Sequence, residues 1–255
     1  MSTNHIYNLK PTPVGHENHP SRFSVAAPST LPLPPILDLT TSSFFDAIYD
    51  QSSLGSCTGN GFSRAVNYDL RKQNLPALVP NPSRLFIYWN ERSIENSVAQ
   101  DSGASLGDGI SALKTYGVCS ETTWPYDINQ FTVKPINEAY TEAANNALIQ
   151  FNTCLNINDI KQSIANGFPV VIGITLFDSF ESSQAAATGI ITVPTPSEQI
   201  LGGHCMTIVG YDDTKSWVKV ANSWGTGWGD KGYCYIPYAN ISANLMEAYT
   251  LTFVK

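Results

Sequence analysis

The 255-residue chain reads as an α+β protein of two lobes with a cleft between them, and three observations carry that reading. Apolar residues recur at helical spacing in several segments of the first half, beginning with Phe62, Ala65, Val66 and Leu70. Beyond residue 168 the pattern changes to short runs rich in Val, Ile and Tyr, the signature of strands. Helices therefore come first and strands second, without internal repeats, which is the segregated order of an α+β fold. A hydrophobic content of 42% is ample for a buried core.

Taken in order, residues 1–36 form a Pro-rich extension. Residues 1–40 hold seven of the sixteen prolines, and Leu-Pro-Leu-Pro-Pro at 31–35 should run extended, near polyproline II. Three of the four histidines, His5, His16 and His19, lie here and are read as solvated. Residues 37–130 form a mainly helical lobe. Ile36–Leu39 predicts a short strand leading into a Ser- and Gly-rich loop, and a helix follows from Cys57. After a Pro-rich break at 76–82, helices are expected over Ser83–Ile94 and Gly109–Tyr116, the latter stopped by Gly117. Residues 131–255 form a mainly β lobe. Asn137–Ile149 and Ile157–Ala165 read as helices, and Pro169–Thr175, His204–Tyr211, Trp217–Ala221, Gly232–Pro237 and Ala248–Val254 as strands.

The chemistry concentrates in three stretches. Cys57 falls where loop becomes helix. A helix N-terminus carries unpaired N–H groups and partial positive charge, so a thiol there loses its proton more easily, and the thiolate is the nucleophile. Gln51, six residues upstream, offers an amide donor for a developing oxyanion. Read alone, Cys57 could equally be a small buried hydrophobe. His204, in Gly-Gly-His-Cys-Met, is the only histidine after residue 19, so any imidazole base in the body of the protein is this one. Asn222, in Ala-Asn-Ser-Trp-Gly-Thr-Gly-Trp-Gly, could hold that imidazole in the required tautomer, and Trp224 could shield their hydrogen bond. Cys205 should point away from His204 on a strand and belong to the core. Ser223 lacks the Gly-x-Ser-x-Gly setting of a hydrolase serine.

These blocks together resemble the papain-like (papain/cathepsin) cysteine peptidases. Gln-x5-Cys, Gly-His before an apolar strand and Asn-Ser-Trp-Gly-x-Gly-Trp-Gly stand in that family's order, over roughly residues 36–255. The chain looks most similar to the short bacterial and viral members. The resemblance implies a papain-like two-lobed fold, with a helical N-terminal lobe and an antiparallel β-barrel-like C-terminal lobe flanking the active-site cleft. It implies a Cys57–His204–Asn222 mechanism through a thioester, with Gln51 and the Cys57 backbone N–H as oxyanion hole. It places Gly103-Ala104 in a loop that pairs with the substrate backbone, and implies an apolar residue two positions before the cut. Gly103, Ala104 and Trp224 are thus the expected substrate-binding residues, and no metal or other cofactor is expected. The long propeptides of typical members are helical, so the short Pro-rich extension differs from them. It is still the kind of chain a peptide-binding cleft accepts, and two placements stay open: along or near the cleft, or as a tail that touches nothing or packs elsewhere on the surface.

Two departures from the family stand out. Thr58 follows the nucleophile where a Trp is usual. Leu54 and Asp101 occupy both positions of a familiar disulfide, which fits a reducing compartment. Five scattered cysteines without a Cys-x-x-Cys pair argue against structural zinc, and a disulfide between two of the others stays open. A net charge of −7 argues against nucleic acid, and no apolar run approaches the ~20 residues of a membrane span. No secretory signal is visible in Met1–Pro20. The expected partner is a peptide or protein substrate. The alternatives are a non-protease amidase or acyl transferase with the same machinery, or a catalytically silent binding module.

Overall fold

A computed structural model describes residues 5–19, 32–75, 79–146 and 149–253. Residues 76–78 of the Pro-rich break, residues 20–31 of the extension and Val254 of the last predicted strand lie outside the described residues.

Three helices carry the first half: α1 (Cys57–Lys72), α2 (Arg84–Ile94) and α3 (Leu106–Tyr116). Ser83 caps α2 by accepting the Phe86 N–H, and Ser105 caps α3 by accepting the Asp108 N–H. That second cap starts α3 three residues earlier than the apolar pattern indicated, so Gly107 and Gly109 are helical. Gly117, at φ +70°, ends the helix where few other residues would fit. α1 is buried from Cys57 to Leu70 without interruption, so its polar residues need internal partners. Ser63 donates to the Pro82 carbonyl (2.6 Å), Asn67 to Asp46 (2.8 Å), and Arg64 to the Ala47 carbonyl (3.2 Å) while lying over the Tyr49 and Phe45 rings.

The sheet has seven strands: β1 (Ile36–Asp38), β2 (Ile149–Thr153), β3 (Val170–Phe177), β4 (Ile200–Asp212), β5 (Trp217–Ala221), β6 (Tyr233–Pro237) and β7 (Leu245–Phe253). All described pairings are antiparallel, in the order β2-β7-β3-β4-β5-β6, with β1 on β4. The sheet is open, where the sequence led us to expect a barrel-like lobe. The outer edge of β6 is satisfied by segment 189–191, through Ile191 N–H to the Tyr235 carbonyl (3.1 Å) and Tyr235 N–H to the Gly189 carbonyl (2.8 Å). Pro237 lacks an N–H and ends the strand.

Other elements corrected the sequence reading too. The helix expected over Asn137–Ile149 is α4 (Asn137–Ala143) followed by one tight turn to Asn146, and Ile149 opens β2. Alternation through Phe151 and Thr153 against β7 overrides the helical pattern there. The helix α5 (Ile157–Ala165) lies where expected, capped by Asn156. Two short helices, α6 (Ser183–Thr188) and α7 (Tyr238–Asn244), were not foreseen, being too short to show a period.

Two clusters of buried residues result. One joins Phe62, Val66 and Leu70 of α1 to Leu85 of α2, Leu106, Ile110 and Leu113 of α3, and Val171 and Leu251 of the sheet. The other lies across the sheet, with Ile172, Ile174, Ile208, Val220 and Ile236 against Ile160 and Ile164 of α5. Each such side chain contributes about 1.5–3 kcal/mol on burial. α1 packs on β4 and β7, which brings its first turn to the strand carrying His204.

Candidate active site

Cys57 is the first residue of α1, and His204 lies on β4 opposite Ile174 of β3. α1 packs on β4, so the helix start bearing the thiol meets the strand bearing the imidazole. Nearby backbone N–H groups, those of Cys205, Thr58 and Cys57, favour the thiolate but do not outweigh burial. His204 Nε2 lies 2.9 Å from Asn222 Oδ1. That oxygen also accepts the Ser223 N–H at 2.8 Å, which fixes the amide orientation. His204 must therefore donate from Nε2, which leaves Nδ1 as the basic nitrogen. Nδ1 is buried and has no hydrogen-bond partner among the described residues.

Gln51 is held as firmly. Its N–H donates to the Ser223 carbonyl (2.8 Å), its Oε1 accepts the Ser223 hydroxyl (2.6 Å), and its Nε2 donates to the Leu54 carbonyl (2.9 Å). One amide N–H remains uncommitted. The Gln51 loop and the Asn222 block form a short antiparallel pair, closed by Gly225 N–H to the Tyr49 carbonyl (3.0 Å). Trp224 lies beyond β5, which ends at Ala221, in the loop that pairs with Asp50. Its ring still reaches His204, with centroids 5.1 Å apart. Trp228 packs on Trp224 at 4.9 Å.

Asp101 takes over the tie expected of a disulfide. Both its carboxylate oxygens accept the Gly55 N–H (2.8 and 3.1 Å), and the Tyr88 hydroxyl donates to it. The Tyr88 oxygen in turn accepts the Gly103 N–H (3.2 Å), so the nucleophile loop and the Gly103 loop are joined without sulfur. All five cysteines are free. Cys205 directs its sulfur at Gly61 in the core. Thr58 donates to Glu91 Oε2 (2.5 Å), and burial pushes that carboxyl up to about 8, so it is mostly neutral at pH 7. Sequence reasoning missed Ser223, Tyr88 and Glu91 as parts of this frame. The Ser immediately after Asn222 was the one available signal.

Residues 5–12 lie across the site. The Leu9 N–H donates to the Gly203 carbonyl and the Lys10 N–H to the Ala104 carbonyl, both at 3.1 Å. Any side chain at Gly103 or Gly203 would strike this segment's backbone at Asn8 or Leu9. Leu9 is buried near Gly173 and Leu106, and Lys10 pairs with Glu95 at 2.5 Å. Thr12 donates its N–H and hydroxyl to buried Glu247, at 2.5 and 2.7 Å. His5 and His16 are not solvated as expected. His5 stacks on Trp224 at 3.7 Å, and His16 Nε2 faces Asp108 at 3.5 Å. The apolar and glycine-lined floor of the cleft captures this stretch despite its polar composition. Under it, burial pushes the Cys57 thiol up to about 12 and the His204 imidazole down to about 4, the latter despite the Asn222 hydrogen bond. Both groups are neutral in this covered state.

A helical layer meets an antiparallel sheet, and Cys57, His204 and Asn222 lie where the two join. The chain belongs to the papain family of cysteine proteases: that family's pattern matches residues 92–251, a span that contains His204 and Asn222 and starts after Cys57. It is 41% identical over 203 residues to an uncharacterized peptidase C1-like protein of Acanthamoeba polyphaga mimivirus, covering 76% of this chain and 65% of that one. It is 28% identical over 195 residues to cysteine proteinase 3 of Entamoeba histolytica, covering 72% and 57%. The chain thus spans less than two thirds of these relatives' length. Among solved structures it is similar to xylellain, a cysteine protease from Xylella fastidiosa, at a TM-score of 0.86 and 32% identity, covering 98% of this chain and 96% of that one.

Proposed function

We propose that the chain hydrolyses peptide bonds through a Cys57 thioester, and that residues 5–12 hold it in a resting state. The observation that carries this is the His204–Asn222 contact, which leaves His204 Nδ1 as a free base beside the start of α1. His204 takes the thiol proton, and the Cys57 sulfur attacks the carbonyl carbon. The oxyanion is met by the Cys57 N–H and the spare Gln51 amide hydrogen. His204 then returns its proton to the leaving amine as the C–N bond breaks. Water, deprotonated by His204, attacks the thioester, and the sulfur leaves as thiolate. The acyl part of the substrate runs along Gly103-Ala104, and the leaving part passes His204 towards Trp224.

Residues 5–12 run the other way, with His5 at Trp224 and Lys10 at Ala104. A backwards chain presents its carbonyls out of register with the thiol, so it covers the site without being an ordinary substrate. Attached to the enzyme, it acts at high effective concentration, and weak contacts suffice.

The test is labelling of the full chain with an epoxysuccinyl-peptide inhibitor, read by mass spectrometry, beside a peptide-library digest. An adduct on Cys57 and cut peptides are expected. An adduct without cut peptides would point to the amidase or transferase alternative, and no adduct at all to a silent binding module.

A further inference from the structure

The segment in the cleft also reports what its far end accepts. His5 lies flat on the Trp224 indole, with centroids 3.7 Å apart and planes 4° from parallel. Its Nδ1 is 2.8 Å from Glu181 Oε1, and the Tyr7 hydroxyl donates to the same oxygen. Glu181 ends the turn Asp178–Glu181 after β3, and His5 is the only basic side chain within ion-pairing distance of it among the described residues. Trp224 cannot turn away, because Phe180 packs edge-on against it at 5.5 Å and Trp228 at 4.9 Å. The result is a fixed aromatic face with a carboxylate at its rim. A planar cation satisfies both at once, by stacking and by ion pairing, and the arginine guanidinium is the side chain of that shape.

We propose that Glu181 and Trp224 form a specificity subsite for an arginine, or less well a lysine, among the first two residues after the cut. This rests on the peptidase reading above, which places the leaving part of the substrate beyond His204. Glu181 is the determinant and touches no reacting atom. The subsite also explains why a polar stretch of chain settles in the cleft, since His5 fills the position a substrate cation would take.

The test uses the full chain and two quenched fluorescent peptides identical except for Arg or Glu at the positions after the cut. Both compete with the same covering segment, so the ratio of their kcat/KM values is independent of how firmly that segment sits. A ratio of about tenfold or more in favour of Arg is expected, collapsing to about twofold or less in Glu181→Gln. Asp178→Asn removes a carboxylate from the same turn, one already engaged by the Gln199 N–H, and should keep the preference. A ratio near one in the native chain, an unchanged ratio in Glu181→Gln, or an equal collapse in Asp178→Asn overturns the subsite. If neither peptide is cut, the peptidase reading has failed, and the subsite is judged by fluorescence anisotropy of labelled, uncut versions on full-length Cys57→Ala. Tighter binding of the Arg peptide that Glu181→Gln abolishes upholds it, and equal affinities overturn it.

Discussion

Two extended segments lie against the glycine-bearing blocks of the second half, and they are held differently. Residues 49–51 pair with 223–225 through backbone bonds in both directions, reinforced by the Gln51–Ser223 side-chain contact. Residues 5–12 bridge β4 at Gly203 and the segment just before α3 at Ala104–Ser105, at two separated points, and otherwise depend on side chains such as Thr12 on Glu247. The first segment is frame and the second is cover. A ladder shared between two elements persists unless the fold opens, whereas scattered contacts can be lost one at a time at modest cost.

The largest effects should come from the frame. Cys57→Ala should lower peptide turnover by roughly 10⁴-fold or more while far-UV circular dichroism stays native, because alanine suits a helix start. Activity within tenfold of wild type would remove Cys57 from the chemistry. Gln51→Ala should lower kcat by roughly 10²-fold with little change in KM, on the scale of one lost oxyanion donor. A change confined to KM would make Gln51 a binding residue only. Ser223→Ala should cost about tenfold in kcat, since it frees the Gln51 amide to rotate but removes no group that meets the substrate.

The cover should respond in the opposite direction. Leu9→Asp buries an unpaired carboxylate near Gly173 and Leu106 and should expel the segment, raising kcat/KM on a small peptide by about tenfold. An unchanged or lower value would mean that the segment does not gate the site.

The subtlest effect concerns pH. Burial under the cover favours the neutral forms, raising the thiol to about 12 and lowering the imidazole to about 4. Cys57 then stays mostly thiol between about pH 5 and 9, and carbamidomethylation of Cys57 in the native chain should be slow and climb by about tenfold per pH unit without levelling off in that window. Leu9→Asp should make the rate level off within it. A plateau below pH 9 in the native chain would show that the cover does not seal the pair.

The frame was legible because its residues come in dense, ordered blocks: Gln51 with Cys57, then His204, then Asn222 with its glycines and tryptophans. The helices α1, α2 and α5 and the strand β5 followed from period and caps. What was not legible depended on distant partners. Nothing local distinguishes Ile149 as a strand until β7 lies beside it, and Ser223, marked only by its place after Asn222, shows its role only once Gln51 lies beside it. Asp101 could be recognised as a missing cysteine, yet its replacement bond to Gly55 needs the Tyr88 hydroxyl from α2. His5 looked solvated because its receptor, Glu181 with Trp224, is assembled from two loops far apart in sequence.

The complete burial of α1 has a consequence for synthesis of the chain. The helix bearing Cys57 leaves the ribosome early and meets α2 and α3 soon after, yet much of its remaining surface packs on strands made much later, β4 and β7. Until residues 245–253 have emerged, that surface stays exposed, and a helix short of its packing partners is marginal in water. His204 and Asn222 also arrive long after Cys57, whereas residues 5–12 are already waiting. On the proposed mechanism an unfinished chain lacks its base, and the covering segment exists before the site is complete.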